Sequence, residues 1–287
     1  MWFSYSLLFA LLTSVGFLIA KKLIKGVSPA MLFLLVLLFS LPFMSAFLII
    51  SGIPRFSTDF FLILFIAAIF DTAAAIFYYK ALSLTEVSLL APISSFNPVF
   101  ILIFASLFLG ENPTFIKSIG IITVVAGAYL LNLQSFRFGI LKPFSLLFSN
   151  KGIQLYLLTN LIWAVTPVFQ KRAIFETSPA TPIAVPLVEA IIIIFFLSPL
   201  IFRVKSTKMY LKSNLRLLIF FAGISALGQL FAMNAFSLTN VAYAAAIFKL
   251  STLITVILGA IIFHEKHTKE RFVGAAVMVL GTILIAV

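Results

Sequence analysis

The chain has 287 residues, 63% hydrophobic and 10% charged, with a mean hydropathy of +1.22. Soluble domains hold roughly 45–50% apolar and about 25% charged residues, so these figures exclude a soluble globular fold, and the apolar content excludes disorder. There is no cysteine, hence no disulfide or thiolate metal site, and the net charge of +12 lies in short gaps between apolar runs, the pattern of membrane loops and not of a nucleic-acid binder.

At ~20 residues per span the chain has room for about ten. Apolar runs of that length fall near 3–20, 30–51, 58–79, 87–109 and 115–134, then near 153–170, 180–202, 214–236, 240–263 and 270–287. The first lacks a basic n-region and a small-residue cleavage site, and is expected to be a span and not a removed signal peptide. The third carries Asp71. The fourth holds Pro92, Ser95, Asn97 and Pro98. Proline removes a backbone donor and frees a carbonyl one turn back, so a helix break is expected there. Segment 135–151 reads as an interfacial linker between halves 1–134 and 152–287.

The sixth run presents Asn160, Trp163, Thr166, Pro167 and Gln170, a polar stripe with a second break expected at Pro167. Asn160 and Trp163, three apart, share a helix face. The seventh run carries Glu189, the eighth Gln229, the ninth Tyr243 and Lys249. Counted from residue 240, Lys249 lies ~14 Å into its helix, near the bilayer centre. None of the runs alternates as membrane-barrel strands do.

If each run crosses once, fifteen of the twenty Lys and Arg residues fall in loops on one side and four on the other, with Lys249 inside a span. The positive-inside rule makes the first side cytoplasmic and puts both termini outside a plasma (inner) membrane.

The chain repeats itself. ALSLTEVSLLAPISSFNPVFILIFASLFLGE (Ala81–Glu111) aligns without a gap on AFSLTNVAYAAAIFKLSTLITVILGAIIFHE (Ala235–Glu265) at an offset of 154, which also carries Gly120 onto Gly274 and Gly127 onto Gly281. At an offset of 150, Lys21, Ile24, Ser28 and Pro29 meet Lys171, Ile174, Ser178 and Pro179. Each repeat holds five runs. An odd number inserts the second copy upside down, which is the symmetry that alternating-access transporters use.

These blocks, each closing on Glu111 or Glu265 before a Gly-bearing span, resemble the EamA domain of the drug/metabolite transporter superfamily. The resemblance covers nearly the whole chain. It implies an all-α membrane protein of ten transmembrane helices, two inverted five-helix repeats, that moves small metabolites, often outward. The small four-span relatives carry an acid in their first span; here neither the first run nor its counterpart near 153–170 has one.

Lys249 is the expected anion-binding cation of a substrate site, with Ser95, Asn97, Asn160, Trp163, Tyr243 and Gln229 shaping the cavity. A Lys at that depth costs about 2.5–3.5 kcal/mol on insertion scales and must face the protein interior. Asp71 and Glu189, the acids buried within their spans, are the candidates to couple a proton; the alternative for Lys249 is a structural ion pair with one of them, which leaves the other as the better proton carrier. The two acids are expected to stand apart. Glu111 and Glu265 are expected to cap the helices that follow them. The glycine pairs, seven apart and so on one face, are expected to pack helices within a monomer, with a dimer seam as the alternative. His264 and His267 sit among Lys266, Lys269 and Arg271, which disfavours a metal. No phosphate loop, nucleophile elbow or cofactor motif is present.

The sequence therefore points to a secondary transporter of a small anionic or zwitterionic metabolite such as an amino acid. It is expected to be an exporter and not an enzyme, without a cofactor. The rival is a lipid or lipid-linked-sugar flippase of the same fold.

Overall fold

A computed structural model describes residues 1–24, 27–85, 87–132, 149–199, 207–263 and 269–287. The first half contributes α1 (Trp2–Leu23), α2 (Pro29–Ser51), α3 (Thr58–Leu84), α4 (Val87–Ser94), α5 (Asn97–Leu109) and α6 (Phe115–Asn132). The second contributes α7 (Lys151–Phe175), α8 (Ala184–Leu197), α9 (Thr207–Leu238), α10 (Val241–Phe248), α11 (Leu250–Phe263) and α12 (Lys269–Ala286). Most of the expected linker lies outside the described residues. Its last residue, Lys151, opens α7, whose N-terminus Asn150 caps by accepting from the Gly152 and Ile153 N–H groups.

Among the described residues, seven helical stretches are long and apolar enough to cross a bilayer, and Phe115–Leu131, Ala184–Leu197 and Val273–Ala286 are shorter apolar helices. Their outer faces are hydrophobic: Leu107 and Phe195 are 71% and 73% exposed, which suits lipid and would be a large apolar patch in water. Ser28 and Ser57 cap α2 and α3 by accepting from Met31 and Phe60 N–H groups. Gly110 ends α5 at φ 65°, a left-handed turn that glycine adopts without strain.

The fourth and ninth runs are each split in two. In the fourth, the Ser95 and Phe96 N–H groups reach back only three residues, to Pro92 and Ile93 carbonyls. In the ninth, Lys249 N–H does the same to Ala246, and Thr252 N–H to Lys249. The two breaks coincide at the offset of 154. Pro92 lies within α4 and Pro98 in the first turn of α5. Two expectations change here. Lys249 is not inside a continuous helix but at the joint between α10 and α11. Pro167 makes no break: α7 runs uninterrupted through it, with one intrahelical bond, to the Trp163 carbonyl, forgone.

Packing follows a pseudo-two-fold axis. The contact of α3 with α7 has its counterpart in α1 with α9, that of α2 with α9 in α3 with α8, and that of α5 with α7 in α1 with α11. The most extensive contact joins the equivalent helices α6 and α12. Gly120 lies against Gly281 and Gly127 against Gly274, so the two helices run antiparallel, as inverted halves require. A side-chain carbon added at Gly127 would come within 2.6 Å of the Met278 backbone, and one at Gly281 within 2.6 Å of Val124 N. The glycines thus bring two helices of one chain together, without which the backbones could not approach so closely.

At one end of the bundle, a two-stranded bridge joins the halves. β1 (Arg55–Phe56) pairs antiparallel with β2 (Thr177–Ser178).

Candidate functional site

Three helical stripes meet around a central cavity of about 490 Å³. From α3 come Asp71, Ala75 and Tyr78, four and seven residues apart and therefore on one face. From α7 come Trp163 and Gln170, again seven apart, and from α8 come Pro186, Glu189, Ala190 and Ile193. Ser225 and Gln229 of α9 line the opposite wall. Ser225 stands at the repeat position of Asp71, so the two halves offer a hydroxyl and an acid at equivalent places.

The acids do not stand apart, as the sequence suggests; they meet. The Asp71 and Glu189 carboxyl groups are within hydrogen-bonding reach of each other across the interface between the halves. The Thr166 hydroxyl donates to Asp71 Oδ1 at 2.7 Å, and Gln170 Nε2 donates to Glu189 Oε2 at 2.7 Å. Glu189 Oε1 is buried and has no hydrogen-bond partner among the described residues. Such an oxygen is costly to leave bare. It calls for a proton shared with Asp71 or for a donor brought by a ligand. Aromatic rings form the adjoining wall: Tyr78 packs on Trp163 with ring centroids 5.4 Å apart, and edge-on against Tyr79 at 5.3 Å. Among the described residues, no Lys or Arg lines this cavity.

Of the residues expected at the site, Asp71, Glu189, Trp163 and Gln229 come together there. Ser95, Asn97, Asn160, Tyr243 and Lys249 do not line the cavity. Lys249 Nζ donates to the Ser94 carbonyl at 2.7 Å, at the open end of α4, and so pairs with neither acid among the described contacts. Asn97 Nδ2 donates to the Asn160 carbonyl, and Asn160 Nδ2 to the Tyr156 carbonyl. The Tyr243 hydroxyl accepts from Thr114 N–H. Lys249 and Asn97 thus serve the helix joints, where backbone groups released inside a membrane need protein partners, while Asn160 Nδ2 bonds within its own helix and Tyr243 bonds the start of α6. Asn160 and Trp163 share a stripe by spacing, yet one serves the α4–α5 joint and the other the cavity. Tyr78, Tyr79 and Ser225 escape the sequence reading, although the seven-residue step from Asp71 to Tyr78 was there to be followed.

The cavity extends toward Ala20, Ile24 and Pro29 at the α1–α2 turn. At the other end the halves are tied. Lys171 Nζ meets Glu111 Oε1 at 2.6 Å and donates to the Thr239 carbonyl at 2.7 Å. Glu111 Oε2 accepts from Val241 N–H at 2.9 Å. Glu111 thus caps α10 of the opposite half and not α6, the helix that follows it: the left-handed turn at Gly110 directs the chain to the neighbouring helix end, where a carboxylate is favoured. Glu265 and both histidines lie outside the described residues. No cluster able to hold a metal ion occurs among the described residues.

The family model of the EamA-like transporter family matches residues 1–133 and again 150–287. The chain belongs to the EamA-like transporter family. Its duplicated match coincides with the two halves that the fold relates by symmetry. A solved structure titled "Crystal structure of protein" shares 18% identity over 99% of this chain and 98% of that one, with a TM-score of 0.73. This likeness is one of fold. No curated protein matches the chain. As an EamA-like protein it is a multi-pass membrane transporter with a small-molecule substrate, all-helical and built from two repeats.

Proposed function

We propose that the protein is a proton-coupled secondary transporter that binds a small amine-bearing metabolite, zwitterionic or cationic, at Asp71 and Glu189. The bare Glu189 Oε1 beside a second carboxyl group carries this reading. Like charges in contact away from water favour one proton held between them, whereas an ammonium group favours both carboxylates ionised. Proton and substrate then compete for one site, and that competition is what exchange requires. Tyr78 and Trp163 offer ring faces to a cation. Among the described residues the lining offers two carboxyl groups and no Lys or Arg, which favours an amine over a purely anionic substrate.

Alternating access is supported by the inverted halves and by their unequal ends. The cavity reaches the α1–α2 end, cytoplasmic by the charge bias, while the Glu111–Lys171 tie closes the other. The repeat carries Lys171 onto Lys21 and Glu111 onto Glu265, so the sequence offers the same two charges at the cytoplasmic end. An inward proton gradient would then drive the metabolite outward across the plasma membrane.

The test is transport in liposomes with an imposed pH gradient, screening amino acids and simple amines. Accumulation that follows the gradient, and is lost in Asp71→Asn and Glu189→Gln, is the expected result. Transport of organic anions that both variants retain would reject the proposal.

A further inference from the structure

The central cavity has a side branch. A second cavity of about 340 Å³ lies between α1 and α9. It shares Ala20, Phe221, Ser225 and Gln229 with the central cavity, so the two adjoin along these side chains. Beyond that junction its walls are mainly apolar, Phe9, Leu12, Phe17 and Ile224 with Thr13 at the exposed side, and no charged residue among those described lines it. Phe17 is 59% exposed on the surface that would face lipid. The two helices are otherwise closely packed. Glycines on both sides help make the room, Gly16 on α1 and Gly228 on α9. A side-chain carbon at Gly16 would meet the Phe221 ring at 3.0 Å.

We propose that this groove holds an apolar arm of the transported substrate. The substrate is an amphiphilic amine, its ammonium at the Asp71–Glu189 pair and an unbranched alkyl or aryl arm between α1 and α9. The proposal rests on the amine reading above. Two observations support an arm of the substrate over an independent lipid chain. The groove is continuous with a cavity whose acids complement a positive charge. Its inner end is also polar, at Ser225 and Gln229, where a lone acyl chain gains nothing. An apolar arm that leaves water for such a groove tightens binding by about fourfold per methylene.

The test is binding of primary n-alkylamines, methylamine to octylamine, to the full chain in nanodiscs. Trp163 lines the central cavity and its fluorescence reports occupancy, the other tryptophan, Trp2, being replaced by Phe. Affinity is expected to rise about three- to fourfold per methylene over the first several carbons. In Gly228→Leu, where a new side-chain carbon meets Phe9 only at an ordinary 3.7 Å, that slope is expected to flatten. Thr13→Phe, at an exposed groove position, is expected to flatten it too and guards against a folding defect in the first variant. Methylamine binding with no dependence on chain length overturns the groove proposal and leaves the amine reading intact. Equal slopes in the unmodified chain and both variants also overturn it, since the arm then lies in the bilayer. If no amine of any length binds, the amine reading falls and the groove proposal with it.

Discussion

Asp71 and Glu189 come from different halves, and each has its own hydrogen-bond donor, Thr166 or Gln170. If a proton and an ammonium group compete for the pair, as proposed, substrate affinity falls as pH falls, by at most about tenfold per pH unit for one displaced proton. Isotherms across a pH series check this, and Asp71→Asn should remove the dependence. Lys249 has a different task. Its charge-assisted bond to the Ser94 carbonyl is worth about 1.5–3 kcal/mol, close to the ~2.5–3.5 kcal/mol that a mid-membrane Lys costs. The terms nearly cancel. Lys249→Met should therefore shift the melting temperature by only a few degrees while slowing transport, because the end of α4 loses its anchor. Sequence alone marks Asp71, Glu189 and Lys249 as exceptional, since each is an ion among apolar neighbours. Which of them meet is decided by packing between α3 and α8, far apart along the chain, and that is why the acids looked solitary.

The helices themselves are legible from run length. Among the described residues each of the ten apolar runs contains helix, the seventh only over Ala184–Leu197, and the end of α5 is marked by its glycine. The break at Ser95 and Phe96 announces itself through Pro92 and Pro98. The break at Lys249 has no proline and could have been found only by carrying the first break across the repeat. Pro167 misleads in the other direction, because one missing bond within a 25-residue helix is tolerated. At this scale the α6–α12 contact is the tightest. Gly281→Leu would drive a side chain into the Val124 and Gly120 backbone. Overpacking of that kind costs typically about 1–3 kcal/mol, at about 2–4 °C per kcal/mol for a chain approaching this size. A thermal-shift assay in detergent should show that loss for Gly281→Leu. Gly223→Leu, whose new carbon meets only the Phe43 ring at 3.4 Å, should lose less.

For the molecule as a whole, two inverted halves meet around the central cavity, and the Glu111–Lys171 pair ties them at the end away from the α1–α2 turn. The Glu111–Lys171 pair is only part-buried, so removing one partner costs about 1 kcal/mol, enough to shift a balance between two states about fivefold. The chain has no cysteine, so a single Met44→Cys in the cavity wall reports access without background. In proteoliposomes it should react with an impermeant thiol reagent mainly from the α1–α2 side. Adding Lys171→Met should expose it from the opposite side as well. The inverted symmetry was readable from the repeat; the Glu111–Lys171 tie was not, because it joins residues far apart along the chain.

The exchange of a proton for an amine at one acid pair is tested most directly by calorimetry. Binding of a short alkylamine is measured in buffers of different ionisation enthalpy, for the unmodified protein and for Asp71→Asn and Glu189→Gln. Release of up to one proton per bound amine, absent from both variants, is the expected result. Amine binding without proton release, or with release unchanged in the variants, contradicts it.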